Sequence, residues 1–148
     1  MSSAILCEKV FNKYDLEIII KFLKDGFNWS DKQASEVRKK ILYWNPQNTS
    51  YGLIFRDKHS YKLIGAILTH FQGEIYHKNR FIKVINLSWW YVIPECRGIA
   101  AIYMAKKINI VFQDYIITNF SSTKNAYSIF KLIGFKEMKT YTTNLYLP

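Results

Sequence analysis

Cysteine, proline and glycine are scarce in this chain, at 2, 3 and 6 of 148 residues. Cys7 and Cys96 lie far apart and match no metal-ligand spacing. Neither a disulfide framework nor a zinc site is expected, and free thiols in a cytoplasmic protein are the plain reading. So little Gly and Pro excludes a collagen-like or low-complexity chain. No apolar run reaches the roughly 18 residues that a membrane span needs. Asp15, Lys21 and Lys24 interrupt the longest candidate. The stretch from Met1 to Glu8 has no basic n-region and no long apolar core, so no signal peptide is expected. Acidic residues are also few, 11 Asp and Glu against 21 Lys and Arg, for a net charge of +10. The deficit is uneven: residues 1–50 carry 8 basic against 6 acidic side chains, and residues 51–148 carry 13 against 5. A basic surface attracts polyanions, meaning nucleic acid, an anionic membrane or a phosphate-rich cofactor. A nucleotide-composition bias would produce the same excess of Lys, Ile, Asn and Tyr, so charge alone decides nothing.

What is present is apolar and aromatic matter, 49% and 17% of the residues, which a folded core requires and a disordered chain lacks. The length suits one domain over 1–148. Ala4 to Val10 alternates as a first strand. Asp15 opens an amphipathic helix with Leu16, Ile19, Ile20, Leu23 and Phe27 on one stripe, and Gly26 supplies its stop. Ser30 caps a second helix reaching about Tyr43. Tyr51 to Arg56 and Lys62 to Phe71 read as antiparallel strands around an Asp57–Ser60 turn, with Gln72 to Arg80 a polar loop. Phe81 to Ile93 is the strongest strand, rich in β-branched and aromatic residues and ended by Pro94. A helix over 98–112, a short strand from Tyr115 to Asn119, a helix from about Thr123 to Ile133 and closing strands from Phe135 to Leu147 complete the order. The order β-α-α-β-β-β-α-β-α-β(-β) implies an α/β fold, a mixed sheet with helices on both faces. The strands at 81–93 and 115–119 should be parallel neighbours that diverge at their carboxyl ends.

Val92-Ile93-Pro94-Glu95-Cys96-Arg97-Gly98-Ile99-Ala100-Ala101-Ile102 is a strand, a tight turn and a helix start. Free amides at a helix N-terminus, aided by the dipole, suit a pyrophosphate. These residues resemble the coenzyme-A loop of the GNAT superfamily of acyl-CoA-dependent N-acyltransferases, Arg/Gln-x-x-Gly-x-Gly/Ala after a strand ending in Val-x-Pro. Arg97 matches the first position, Ala100 stands at the first motif Gly, and Ile102 replaces the second. A second stretch, Thr123 to Phe135, is similar to the superfamily's later motif. Ala126, Gly134 and Phe135 match it, and Phe130 stands where that motif often has a Tyr that protonates the departing thiolate. The two stretches span roughly 88–136.

The resemblance implies acetyl-CoA, or another acyl-CoA, as cosubstrate and an amine on a small acceptor, possibly an amino-sugar, as partner. The pantetheine arm would pair with the Tyr91-Val92-Ile93 edge and the pyrophosphate would sit on the amides of Arg97, Gly98, Ile99, Ala100, Ala101 and Ile102, with Phe130 beside the cofactor. A backbone N–H near Val92 would hold the carbonyl oxygen. Tyr127, one turn before Phe130, is either the proton donor or a core residue. Glu95 is either a base or a solvated turn residue, and His70 either a base or a packing histidine. Ser88 and Trp90, which strict alternation places on one strand face, together with Asn119 and Ser121 are candidates for the acceptor pocket. Two further readings stand beside this one: a nucleic-acid-associated protein, and a domain of this type that has lost catalysis, to which Ile102 and Phe130 point.

Overall fold

The computed structural model describes residues 4–46, 48–120 and 122–137. The chain runs β1 (Ile5–Val10), α1 (Lys13–Phe27), α2 (Asp31–Trp44), β2 (Gly52–Asp57), β3 (Leu63–His77), β4 (Arg80–Val92), a 3-10 turn (Pro94–Cys96), α3 (Ile99–Val111), β5 (Ile116–Thr118) and α4 (Lys124–Leu132). The sheet order is β1-β2-β3-β4-β5. The first four strands are antiparallel to their neighbours, and β5 joins β4 in parallel. This is the mixed α/β sheet that the order of elements implies. The closing strands expected up to Leu147 fall mostly on residues 138–148, outside the described residues.

Each helix starts as local chemistry dictates, with one exception. Asn12 accepts the Asp15 amide, Ser30 and Gln33 form a reciprocal capping box, and Thr123 accepts the Ala126 amide. The start of α3 has Gly98 at φ 89° and no side-chain cap. The first helix begins at Lys13, not Asp15, and ends on Asn28 in the left-handed region at φ 54°, not on Gly26. Gly26 is helical, and its bareness serves another purpose. A Cβ there would lie 2.5 Å from the Tyr91 ring, which packs edge-on to Phe22 and Phe27. Gly134, at φ 104°, does stop α4. Its N–H reaches the Lys131 carbonyl and that of Phe135 reaches Phe130, the two bonds of a Schellman motif.

The polar segment 72–80 is strand, not loop. Lys78 and Asn79 both take positive φ, 47° and 62°, which is what a two-residue hairpin turn needs, so the ladder continues to His77↔Arg80. The two faces of the sheet bury separate clusters. Leu53, Phe55, Ile67, Ile85 and Leu87 pack with Met104, Ala105 and Ile108 of α3 and Phe130 of α4. On the other face, Ile54, Ala66 and Leu68 pack against Leu16, Ile19, Ile20 and Leu23 of α1 and Val37 and Ile41 of α2. Each such side chain, fully buried, contributes about 1.5–3 kcal/mol. Arg38 holds Glu17 through two nitrogens, tying α2 to α1 at the surface.

Candidate functional site

Two irregularities in β4 build the site. Its pairing with β5 covers only Val84↔Ile116 to Asn86↔Thr118, while β4 continues to Val92. From Leu87 onward the β5 side of β4 has no strand partner among the described residues. Against β3, Ala66 pairs with Tyr91 and Leu68 with Ser88, so Trp89 and Trp90 stand opposite Ile67 alone. Trp89 sits at φ 48°. Such a bulge adds one unpaired residue, bends the strand and redirects side chains. The effect on facing is direct. Ser88 keeps the face of its partner Leu68, toward α1 and α2, whereas Trp90 packs with the α3 and α4 cluster, 5.2 Å from the Phe130 ring. Ser88 and Trp90 therefore do not share a face. Trp89 and Tyr91 pack toward α1, so the Trp-Trp-Tyr run covers both sides of the sheet.

A cleft of about 470 Å³ opens where β4 and β5 part. His70, Asn86, Ser88, Trp90 and Asn119 line it, with Trp44, Trp89, Ser122 and Thr123. Among the described residues, no Lys, Arg, Asp or Glu lines it. Four side-chain atoms here are shielded from solvent without a hydrogen-bond partner among the described residues: both ring nitrogens of His70, Ser88 Oγ and Trp90 Nε1. Buried polar atoms are rarely left so, and each costs on the order of 1–3 kcal/mol. All three side chains belong to the lining of this one cleft.

His70 is held from both sides. Asn45, buried at the end of α2, donates to the Thr69 carbonyl at 3.0 Å and accepts the Phe71 amide at 3.0 Å. The Trp44 ring stands edge-on to the imidazole at 4.6 Å. Burial lowers the His70 pKa from its ordinary 6.5, favouring the neutral ring. The sequence pointed to Ser88, Trp90 and Asn119 as an acceptor pocket and to His70 as a separate candidate, and all four line this cleft. It missed Asn45, Trp44 and Asn86, which a loop boundary and an unremarkable strand position concealed. Ser121 lies outside the described residues.

The 3-10 turn and α3 follow the same strand end. Arg97 donates its amide to Pro94 and Ile102 donates its own to Gly98, so these two amides are spent inside the chain. The donors left at the mouth of α3 are those of Gly98, Ile99, Ala100 and Ala101, the four that any helix start leaves without an intrahelical partner. With no side-chain cap and open space beside Gly98, this start fits an anionic group. Arg97 is exposed but not free. Its Nε donates to the Val92 carbonyl at 3.1 Å and its guanidinium lies 5.6 Å from the Tyr91 ring. Ile93 gives its N–H to Ile64 and so faces β3. By ladder alternation Tyr91 faces β3 as well, which leaves Val92 alone of the three on the open edge.

The remaining candidates separate. Glu95 is exposed on the 3-10 turn and lines neither of the two clefts beside β5. Tyr127 is no core residue: it is 37% exposed, and its hydroxyl donates to Glu137 at 2.5 Å. Phe130 holds the core position instead, 3% exposed and 5.0 Å from the Phe135 ring. Tyr127 and Phe130 line a second cleft of about 460 Å³ on the far side of Asn119 and Ser122. Among the described residues no helix is long and apolar enough to cross a membrane.

No protein-family model and no curated protein matches the sequence. Solved structures do match. A possible acetyltransferase from Clostridium difficile is 13% identical with a TM-score of 0.64, over 98% of this chain and 99% of that one. An acetyltransferase predicted in Clostridium acetobutylicum, solved with acetyl-CoA, is 14% identical with a TM-score of 0.59, over 95% and 96%. An aminoglycoside 6'-N-acetyltransferase from Acinetobacter baumannii is 12% identical with a TM-score of 0.58, over 95% and 99%. Near-complete coverage in both directions at such low identity means a common architecture, and this chain has the GNAT acetyltransferase fold.

Proposed function

We propose that the chain, as one domain, transfers an acyl group, acetyl in the first instance, from an acyl-CoA to an amine on a small acceptor, and that the acceptor is an amino-sugar. One observation carries the reading. The parted end of β4, the uncapped start of α3 and a cleft with four unpartnered buried polar atoms lie at the same carboxyl end of the sheet. Ligands of open α/β sheets bind at that end.

The amides of Gly98 to Ala101 would take the pyrophosphate of the acyl-CoA, and the N–H of Val92 on that edge, its carbonyl being held by Arg97, would donate to the pantetheine arm. When bound, the group supplies an activated acyl carbonyl as a thioester. The bulge at Trp89 and Trp90 breaks the ladder beside that edge, where an unpaired backbone N–H can polarise the carbonyl. In the cleft, the rings of Trp44 and Trp90 offer faces for a sugar ring, and His70, Asn86 and Ser88 offer polar atoms for its hydroxyls. An aminoglycoside acetyltransferase among the structural neighbours accords with an amino-sugar acceptor.

Phe130 has no proton to give, and the Tyr127 hydroxyl is engaged with Glu137. The leaving thiol, with a pKa near 8.5, then takes its proton from water or from the acceptor. A nucleic-acid partner gains no support. The one basic run, Arg38-Lys39-Lys40, has its first charge paired to Glu17. The test is release of free thiol from acetyl-CoA across a panel of amines and amino-sugars. Turnover that rises with pH as the amine deprotonates supports the proposal, and its absence across the panel refutes it.

A further inference from the structure

Among the described residues, the cleft between β4 and β5 is lined by one titratable side chain. His70 reaches it from β3, and the groups that face it are Trp44 from α2, Asn86 and Ser88 from β4, and Asn119 and Ser122 from the segment before α4. None of these carries a charge, and Glu95, the nearest carboxylate in sequence to the strand end, is exposed outside the cleft. A molecule with several ammonium groups would thus enter a site with no countercharge, in a protein of net charge +10. Burying unpaired charge in such a place is costly. A molecule with one amine and several hydroxyls meets matching groups instead: Ser88 Oγ, Trp90 Nε1 and an imidazole whose two nitrogens have no partner among the described residues.

Resting on the acyl-transfer reading, we propose that His70 is the base that takes the proton of the acceptor, and that this cleft selects a hydroxyl-bearing molecule whose single amine is its only charge. The acceptor ammonium gives one proton to an unprotonated His70 nitrogen. The resulting amine attacks the acyl carbonyl carbon of an acyl-CoA thioester; the C–N bond forms and the C–S bond breaks. The thiolate leaves with the electron pair of that bond and takes up the second proton shed by the nitrogen. His70 returns its proton to water admitted when the product leaves the cleft. Asn45 fixes the base by gripping Thr69 and Phe71 on either side of it. Burial, which favours the neutral imidazole, keeps it ready at neutral pH.

The experiment compares wild type, His70→Gln and His70→Phe, the last keeping an aromatic ring against Trp44. It measures the pH profile of acetyl transfer to D-glucosamine and to kanamycin, an aminoglycoside polycation, with calorimetric binding of acetyl-CoA and NMR titration of the His70 ring. Transfer to D-glucosamine should fall about 10²- to 10⁴-fold in both variants, with acetyl-CoA bound as in wild type. The acid limb of the wild-type profile should move in both variants to the higher pH at which the acceptor amine itself loses its proton. D-glucosamine should shift the His70 nitrogen resonances, whereas kanamycin should neither shift them nor be acetylated. An active wild type whose variants keep its rate and acid limb overturns the role of His70. Kanamycin acetylated as fast as D-glucosamine overturns the selection. A wild type that acetylates neither amine defeats the acyl-transfer reading, and this inference with it.

Discussion

Glycine in the middle of a helix is ordinarily a cost of about 0.5–1 kcal/mol relative to alanine. At Gly26 the sign should reverse, because an added Cβ would sit 2.5 Å from the Tyr91 ring. Gly26→Ala is expected to lower stability by about 1–3 kcal/mol in urea unfolding, and Tyr91→Ala in the same background should erase most of the difference. A gain in stability for Gly26→Ala would mean that the ring yields freely. His70 makes a second prediction, with a sign set by its lowered pKa. Above its ordinary value of 6.5 the ring is neutral in both the folded and unfolded chain and contributes no pH dependence. As pH falls through that value the unfolded chain binds a proton that the folded chain refuses, so stability declines until the folded pKa is reached. Wild type should therefore lose more stability than His70→Gln between about pH 7 and pH 5. Equal losses would contradict the burial of the imidazole. Burial likewise raises the Cys7 pKa to about 11, so this thiol should resist alkylation in the native protein at neutral pH.

The hairpin of β3 and β4 turns through Lys78 and Asn79, both with positive φ. Lysine pays for that conformation where asparagine pays less, on the order of 1 kcal/mol. Lys78→Asn should raise hydrogen-exchange protection of the amides around Tyr76 and Phe81, and unchanged protection would mean that the turn is not strained. The hairpin also shows where the sequence stops being readable. The stripes of α1 and α2, the capping box at Ser30, the Gly134 stop and the order of the strands all follow from local spacing. The segment 72–80 looked like loop because its residues are polar, yet a two-residue turn without Asn-Gly suffices when a long ladder supports it. The bulge at Trp89 and Trp90 is equally silent, since alternation assumes an unbroken ladder and a single extra residue inverts every facing beyond it. At the site, each of His70, Ser88, Trp90 and Asn119 was visible as a candidate, but that they share one cleft depends on where β5 stops pairing. Asn45 was invisible, because its partners, Thr69 and Phe71, lie some two dozen residues away along the chain.

Across the whole molecule, the sheet separates two tasks at one end. The face and edge toward α3 present backbone donors suited to a phosphate-rich donor, and the gap beside β5 presents neutral polar groups and aromatic rings suited to an acceptor. The net charge of +10 favours approach of an anionic cosubstrate at low salt without specifying a partner. The central claim is that the start of α3 and the open edge of β4 bind an acyl-CoA. Calorimetric titration with acetyl-CoA tests it most directly. A dissociation constant in the micromolar range, about −8 kcal/mol, is expected. Ala100 is half-buried among the free amides at the helix mouth, so Ala100→Trp should weaken binding at least tenfold, or about 1.4 kcal/mol. No binding by wild type, or an Ala100→Trp variant that binds as tightly, would contradict it.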